Sequence, residues 1–254
     1  MSDSRSLKDR AALITGAGSG LGRSYALLLA ARGASVVVQD IDANAAEATA
    51  ADIRNQGGMA WSAVCDIADP PALAPALRAA GVAPDGIHIL VNNAGIDAAR
   101  SIEQVTVAEF DRMFGVHVKG TFFATQTVIA GMKARQSGKI VNISSINGMI
   151  ADSTDSHYNG AKAAILGLTK AWAKEFAPWR INVNAVAPGH VVTAATIARG
   201  SERMERISKE RIPLGRYATP EEIAHTVAFL ASSESDFITG QVVSPNGGEA
   251  IVGI

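Results

Sequence analysis

Along this 254-residue chain, short runs of consecutive apolar and largely β-branched residues alternate with longer stretches in which apolar positions recur every three to four residues. The short runs fall at residues 11–15, 35–40, 60–65, 87–92, 139–144, 180–187 and 241–244, and turn-forming residues separate them from the longer stretches. This pattern predicts seven β-strands. Helical periodicity covers residues 20–32, 43–56, 70–80, 106–134, 157–177 and 220–232. A strand such as IHILVN is apolar at nearly every position, so it needs cover on both faces, whereas a strand with one wet face alternates. Strands of this kind alternating with helices predict an α/β fold, a doubly wound parallel sheet with helices on both sides. Right-handed crossovers then place ligands at the carboxyl ends of the strands, where the strand order reverses. Residues 190–215 hold several charges and no strand pattern, and are expected to form a helical excursion over that edge that serves as a substrate lid. No repeat, low-complexity tract or linker divides the chain, so residues 1–254 are expected to form a single domain.

Composition narrows the function classes. Lys plus Arg number 23 against 24 for Asp plus Glu, the net charge is -1 and no long basic run appears, which argues against nucleic-acid binding. The single Cys65 cannot form an internal disulfide, and no Cys/His cluster has the spacing of metal ligands, so no metal is expected and a reducing compartment fits. The N-terminus, MSDSRSLKDR, is polar and lacks an apolar segment long enough for a signal peptide or membrane span, which predicts a soluble cytoplasmic protein with no membrane partner. Aromatics are only 5% of residues while 24 are Gly, a composition suited to close helix-on-sheet packing.

The first predicted strand runs directly into TGAGSGLG, residues 15–22, and a helix comes next. Glycine permits so tight a turn and lets the backbone approach a pyrophosphate, whose charge the helix N-terminus then meets. Gly16, Gly20 and Gly22 have the spacing G-x-x-x-G-x-G, which by itself is as consistent with an unliganded turn as with binding. Its place between strand and helix favours binding, as does Asp40 at the end of the second strand, positioned to hydrogen-bond ribose hydroxyls. A carboxylate there would repel a 2′-phosphate, and VQDIDAN (38–44) holds no Lys or Arg to neutralise one, so NAD(H) is expected over NADP(H). Asp40 or Asp42 could instead cap the next helix. Asp66, after the third strand, reads equally as a turn residue or as an acceptor for the adenine amino group.

The ordered set TGAGSGLG, Asp66, NNAG (92–95), Ser145, Tyr158 and Lys162 in YNGAK, and PG-x-x-x-T (188–193) resembles the short-chain dehydrogenase/reductase family over nearly the whole chain. The resemblance implies a Rossmann-type domain with a seven-stranded parallel sheet, NAD-dependent interconversion of a secondary alcohol and a ketone, and a homo-oligomer, usually a tetramer. It makes Tyr158 the general acid/base. Lys162 would bind the nicotinamide ribose and lower the phenol pKa, and Ser145 would hold the substrate oxygen. The family's serine lies thirteen positions before its tyrosine, which selects Ser145 over Ser144. Gly16, Gly20, Leu21 and Gly22 would meet the pyrophosphate, Asn92 and Gly95 the adenosine side, and Val191 and Thr193 the carboxamide. Physics makes the lysine's role plausible: shifting a phenol from about 10 to about 7 takes roughly 4 kcal/mol. One charge about 4 Å away at an effective dielectric near 20 supplies roughly that, before desolvation opposes it.

One position departs from the family pattern. Where relatives carry an asparagine that holds a relay water, this chain has His117, in FGVHVKG. It reads either as a member of the proton relay or as a packed structural histidine. Asp97, Asn147, Met149 and His190 are candidates to line the substrate. Two other functions are compatible with these motifs. A 3-oxoacyl thioester reductase would share them, although Asp40 weighs against its usual NADP. A catalytically silent NAD-binding regulator would not need the complete Ser/Tyr/Lys set.

Overall fold

Seven strands, β1 (Ala11–Thr15), β2 (Ser35–Asp40), β3 (Met59–Val64), β4 (Ile89–Asn92), β5 (Gly138–Ile143), β6 (Ile181–Val186) and β7 (Val242–Val243), form one sheet in the order β3-β2-β1-β4-β5-β6-β7. Every neighbouring pair is parallel. The computed structural model describes residues 6–97 and 99–252, so half of the polar N-terminal segment MSDSRSLKDR, residues 1–5, lies outside it.

Strand side chains alternate between two apolar clusters, as a two-residue period requires. Ala12 and Ile14 of β1 and Val36 and Val38 of β2 enter one cluster, beneath α1 (Gly20–Ala31), α2 (Ala43–Asn55) and α9 (Pro220–Ala231). Leu13 and Val37 enter the other, with α3 (Leu73–Ala79), α5 (Gly120–Arg135) and α6 (Ser156–Phe176). Both faces of β1 and β2 are thus withdrawn from water, which is why these strands read as unbroken apolar runs. Each fully buried aliphatic side chain contributes about 1.5–3 kcal/mol by this transfer. The doubly wound fold expected from periodicity is the one observed.

Two of the predicted helices begin or run differently. The 106–134 stretch is α4 (Val107–Phe114), a π-turn over Gly115–Lys119, and then α5. Glycines at 115 and 120 bracket the wide turn, and they resist departure from α geometry less than any other residue. In the 70–80 stretch, Pro70 and Pro71 shape a 3-10 turn before α3 starts at Leu73. The 190–215 excursion is helical as expected, with α7 (Ala194–Ala198) and α8 (Ser201–Glu210).

Strand order reverses between β1 and β4, and the carboxyl ends of β1, β4, β5 and β6 open into one cleft there. A buried polar chain braces its floor. Asn92 Nδ2 donates to Thr125 Oγ1 (3.1 Å) and to Asn142 Oδ1 (2.8 Å), and Asn142 Nδ2 donates to Thr169 Oγ1 (2.9 Å). These bonds tie β4 and β5 to α5 and α6 directly below the site. Among the described residues no helix is long and apolar enough to cross a membrane.

Candidate active site

The cleft has a volume of about 950 Å³ and runs from the glycine turn to the segment that carries α7 and α8. At its first end, Gly16 takes φ +63°, and a Cβ on it would lie 2.8 Å from Ala94 Cα, so the β1 turn lies directly on the loop after β4. Gly18 lies flat against β2, where a Cβ would fall 2.9 Å from Asp40 Oδ2. The two acids of VQDIDAN divide the work that the sequence left open. Asp42 caps α2, accepting from the N–H groups of Asn44 (2.9 Å) and Ala45 (3.1 Å). Asp40 lines the cleft and accepts the Gly18 N–H at 2.8 Å, which holds the glycine turn and the carboxylate together. A backbone cradle with no side chain in the way, beside a carboxylate on the second strand, suits a dinucleotide's pyrophosphate and ribose.

Gly16, Leu21, Gly22, Asp40, Asp66, Gly95, Val191 and Thr193 all line this cleft. Asp66 does so while accepting the Ala68 N–H (2.9 Å) and pairing with Arg112 (2.7 Å). Gly20 and Asn92 require correction. Gly20 does not line the cleft; its φ of +54° serves the start of α1. The Asn92 side chain points into the buried polar chain, and the cleft residue is Asn93, whose Nδ2 donates to the carbonyls of Thr15 (2.9 Å) and Gly16 (3.0 Å). Alternation along β4 explains the difference: successive side chains take opposite sides, and hydrophobic pattern does not say which of two asparagines faces the ligand.

At the centre of the cleft, α6 presents Tyr158 and Lys162 one turn apart, opposite Ser145 at the end of β5. Ser144 is excluded as the reactive serine, since it is buried and its hydroxyl donates to the Lys162 carbonyl at 2.8 Å. Ser145 lines the cleft with its Oγ accepting the Asn147 N–H at 3.1 Å.

The electrostatics differ from the expectation. Burial pushes the Tyr158 phenol up to about 12; the Ser145 hydroxyl opposes that rise, Asp97 and Asp155 add to it, and Arg199 opposes it. Lys162 Nζ donates to the Ile143 carbonyl at 2.9 Å, and burial brings its own pKa down to about 8. Burial is thus the largest influence on both groups, and it opposes the charged form of each.

His117, in the π-turn, is buried in the same wall. Its ring meets Tyr158 edge to face, with centroids 5.5 Å apart and planes at 86°. A Cβ on Gly95 would lie 2.5 Å from His117 Cε1, so the absence of a side chain there makes room for the imidazole. Nε2 lies 2.8 Å from the Ile96 carbonyl oxygen and 3.1 Å from the Ile96 N. One neutral tautomer donates to the former and the other accepts from the latter. Burial, with Lys162's charge second, brings His117 down to about 3, so the ring stays neutral at ordinary pH.

At the far end, Asp97, Asn147 and His190 line the cleft and Met149 does not. Asp97 pairs with Arg199 at the end of α7. His190 Nδ1 lies 2.7 Å from a carboxylate oxygen of the buried Glu249, whose other oxygen faces Arg211 Nε at 2.8 Å. Residues that sequence reasoning missed include Arg112, Arg199, Arg203 and Glu249. The charges noted in the 190–215 stretch pointed to Arg199 and Arg203, whereas nothing local marked Arg112 or Glu249.

Comparison with known proteins agrees with this geometry. The family described as enoyl-(acyl carrier protein) reductase matches residues 16–249. A 3-oxoacyl-[acyl-carrier-protein] reductase of Thermotoga maritima is 36% identical over 245 residues, spanning 96% of this chain and 99% of that protein. The crystal structure of a 3-oxoacyl-[acyl-carrier protein] reductase with bound NAD from Brucella melitensis superposes with a TM-score of 0.90 at 33% identity, covering 98% of this chain and 95% of that one. A gluconate 5-dehydrogenase from Burkholderia cenocepacia in complex with NADP and tartrate gives a TM-score of 0.90 at 33% identity, covering 99% and 100%.

Proposed function

The chain belongs to the short-chain dehydrogenase/reductase family, and we propose that within it this protein is an NAD-preferring enzyme in which Tyr158 moves the substrate proton. It is a nicotinamide-dependent oxidoreductase that interconverts CH–OH and carbonyl groups. The observation that carries the assignment of roles is the convergence of Ser145, Tyr158 and Lys162 in one cleft.

Bound nicotinamide supplies the hydride acceptor or donor and, when oxidised, a positive charge. The glycine turn, Asp40, Asn93, Val191 and Thr193 would hold the cofactor, with Lys162 at the nicotinamide ribose. Ser145 orients the substrate oxygen toward the phenol. With a pKa pushed up to about 12, Tyr158 is protonated at neutral pH and is ready to donate its proton to a carbonyl oxygen. Alcohol oxidation runs the other way: the phenolate form accepts the hydroxyl proton, so higher pH favours it.

Asp40 supports NAD over NADP, because its carboxylate, fixed by the Gly18 N–H, would face a 2′-phosphate with like charge. Relatives of both kinds exist, one structure holding NAD and another NADP. A second reading, 3-oxoacyl thioester reduction, is supported by the identity to the Thermotoga maritima protein. NAD(P)H formation measured across secondary alcohols, dihydrodiols, hydroxy acids and 3-hydroxyacyl thioesters, with each cofactor, separates the two: turnover confined to thioesters with NADP would replace the first reading by the second.

A homo-oligomer, in the family's usual tetrameric form, is supported by exposed Val107 and Phe110 on α4, Phe122 on α5 and Phe237 ahead of β7, apolar surface that a second copy would cover. A cytoplasmic location is supported by the lone, unpaired Cys65.

A further inference from the structure

His190 lines the cleft from the segment after β6, and that segment is tied to the reacting centre: the Pro188 carbonyl accepts the N–H of Ile146, the residue after Ser145, at 3.0 Å. Glu249 stands behind the imidazole. Its side chain is 3% exposed, it does not line the cleft, and one carboxylate oxygen lies 2.7 Å from His190 Nδ1. The other oxygen faces Arg211 Nε at 2.8 Å. Asn246 shapes the turn that delivers this carboxylate: its Oδ1 accepts the Gly248 N–H (2.8 Å) and its Nδ2 donates to the Ala250 carbonyl (2.7 Å), on either side of Glu249. The two segments are in close contact, since a Cβ on Gly189 would fall 2.9 Å from Asn246 Cα. The Tyr217 ring packs on the imidazole with centroids 5.0 Å apart, and the His190 carbonyl accepts the Ala218 N–H at 3.0 Å. Nδ1 is thus committed, whereas Nε2 has no hydrogen-bond partner among the described residues and is not sealed from solvent.

We propose that His190, oriented by Glu249, binds a second hydroxyl of the substrate, so that the substrate class is a diol or polyol in preference to a simple secondary alcohol. The carboxylate fixes where the ring's proton sits. A neutral imidazole keeps it on Nδ1, toward Glu249, and offers a lone pair at Nε2, while a protonated ring offers an N–H there. A hydroxyl suits both forms, because it donates to the lone pair and accepts from the N–H. A carboxylate suits only the protonated ring, and an alkyl group suits neither. Asn147 and Thr154 line the same cleft and use only backbone atoms in the hydrogen bonds they make, which leaves their side chains to a hydroxylated ligand. The assignment deepens the oxidoreductase reading and rests on it only for the identity of the reacting end.

The test is calorimetric titration of the NAD-loaded protein with cyclohexanol, cis-cyclohexane-1,2-diol and cis-cyclohexane-1,3-diol. NADH and the side-chain 15N resonances of the five histidines are read on the same preparations. At least one diol is expected to bind about tenfold more tightly than cyclohexanol, as one hydrogen bond supplies, and to move the His190 Nε2 resonance. Which diol does so reports the spacing of the two hydroxyls. His190→Phe keeps a ring against Tyr217 without its nitrogens and removes the preference; His190→Gln, with an amide oxygen, restores part of it. Glu249→Gln takes away the charge that holds the proton at Nδ1, so the proton shifts toward Nε2 in the 15N spectrum and the preference shrinks. Equal binding of all three probes, absence of binding by all three, or an unchanged preference in His190→Phe overturns the subsite. An unchanged His190 spectrum and preference in Glu249→Gln overturns the orienting role of Glu249. A diol preference that depends on His190 without NADH from any probe supports the subsite and counts against the oxidoreductase reading alone. NADH from all three with equal affinities does the reverse.

Discussion

Lys162 lies one helical turn beyond Tyr158, with its Nζ 5.6 Å from the phenol ring centroid, yet its hydrogen bond goes to the carbonyl of Ile143. The lysine thus ties α6 to β5 at the level of the reacting groups. It also holds a charge in a buried position, for which its pKa falls to about 8.

Replacing it isolates those roles. Lys162→Met keeps the length of the side chain, removes the buried charge and leaves the Ile143 carbonyl without its donor, a loss that costs about 1–3 kcal/mol and that the relieved desolvation offsets. The expected outcome is a folded protein with a melting temperature close to wild type and kcat reduced about 10²-fold or more. Circular dichroism melts and steady-state kinetics on the same preparation check it.

His117 predicts an acid-sensitive stability term. Its folded pKa is about 3 and its ordinary value 6.5, so between these values the unfolded chain binds the extra proton. The stability that His117 contributes is complete above about pH 6.5 and is lost as pH falls toward 3, with a slope approaching about 1.4 kcal/mol per pH unit. His117→Asn removes this slope. Urea unfolding at pH 7 and pH 5 should show a smaller loss in the variant than in wild type; equal losses would mean the ring is not held neutral.

The two asparagines of NNAG should separate stability from binding. Asn92→Ala removes the donor that Asn142 Oδ1 and Thr125 Oγ1 accept from in the core and is expected to cost about 1–3 kcal/mol, with the KM for cofactor nearly unchanged. Asn93→Ala releases the carbonyls of Thr15 and Gly16 at the glycine turn and is expected to raise that KM several-fold. Denaturation curves and cofactor titrations distinguish them.

Asp40 sets the cofactor. Asp40→Ala is expected to raise the ratio of NADP to NAD efficiency at least tenfold, about 1.4 kcal/mol, through loss of repulsion at the 2′-position and loosening of the turn at Gly18. Paired kcat/KM measurements with the two cofactors test this.

The architecture was legible because nearly every step in it is local. Apolar strands such as IHILVN and SVVVQD declare burial on both faces, and the glycine turn declares a strand passing into a helix. The convergence of Ser145, Tyr158 and Lys162 was legible through the ordered motif, since periodicity alone leaves a Tyr/Lys pair on a helix ambiguous. What stayed hidden depends on the third dimension. Which of Asn92 and Asn93 faces the cleft is a matter of strand rotation, and the break of the 106–134 helix at Gly115–Lys119 is a choice between two helical geometries. The phenol's shift to about 12 is set by how deeply surrounding residues bury it, and that depth is absent from any spacing of charges. Glu249 reaches His190 across 59 positions of sequence, a distance over which no motif speaks.

Proton transfer by the phenol of Tyr158 is tested most directly by the pH dependence of turnover in wild type and Tyr158→Phe. For the wild-type enzyme, alcohol oxidation should rise with pH from about 6 to about 10 while ketone reduction stays level across neutral pH. The phenylalanine variant, folded and still binding cofactor, should lose about 10²–10⁴-fold in kcat in both directions. Near-normal kcat in the variant, with the wild-type pH profile retained, would contradict the account.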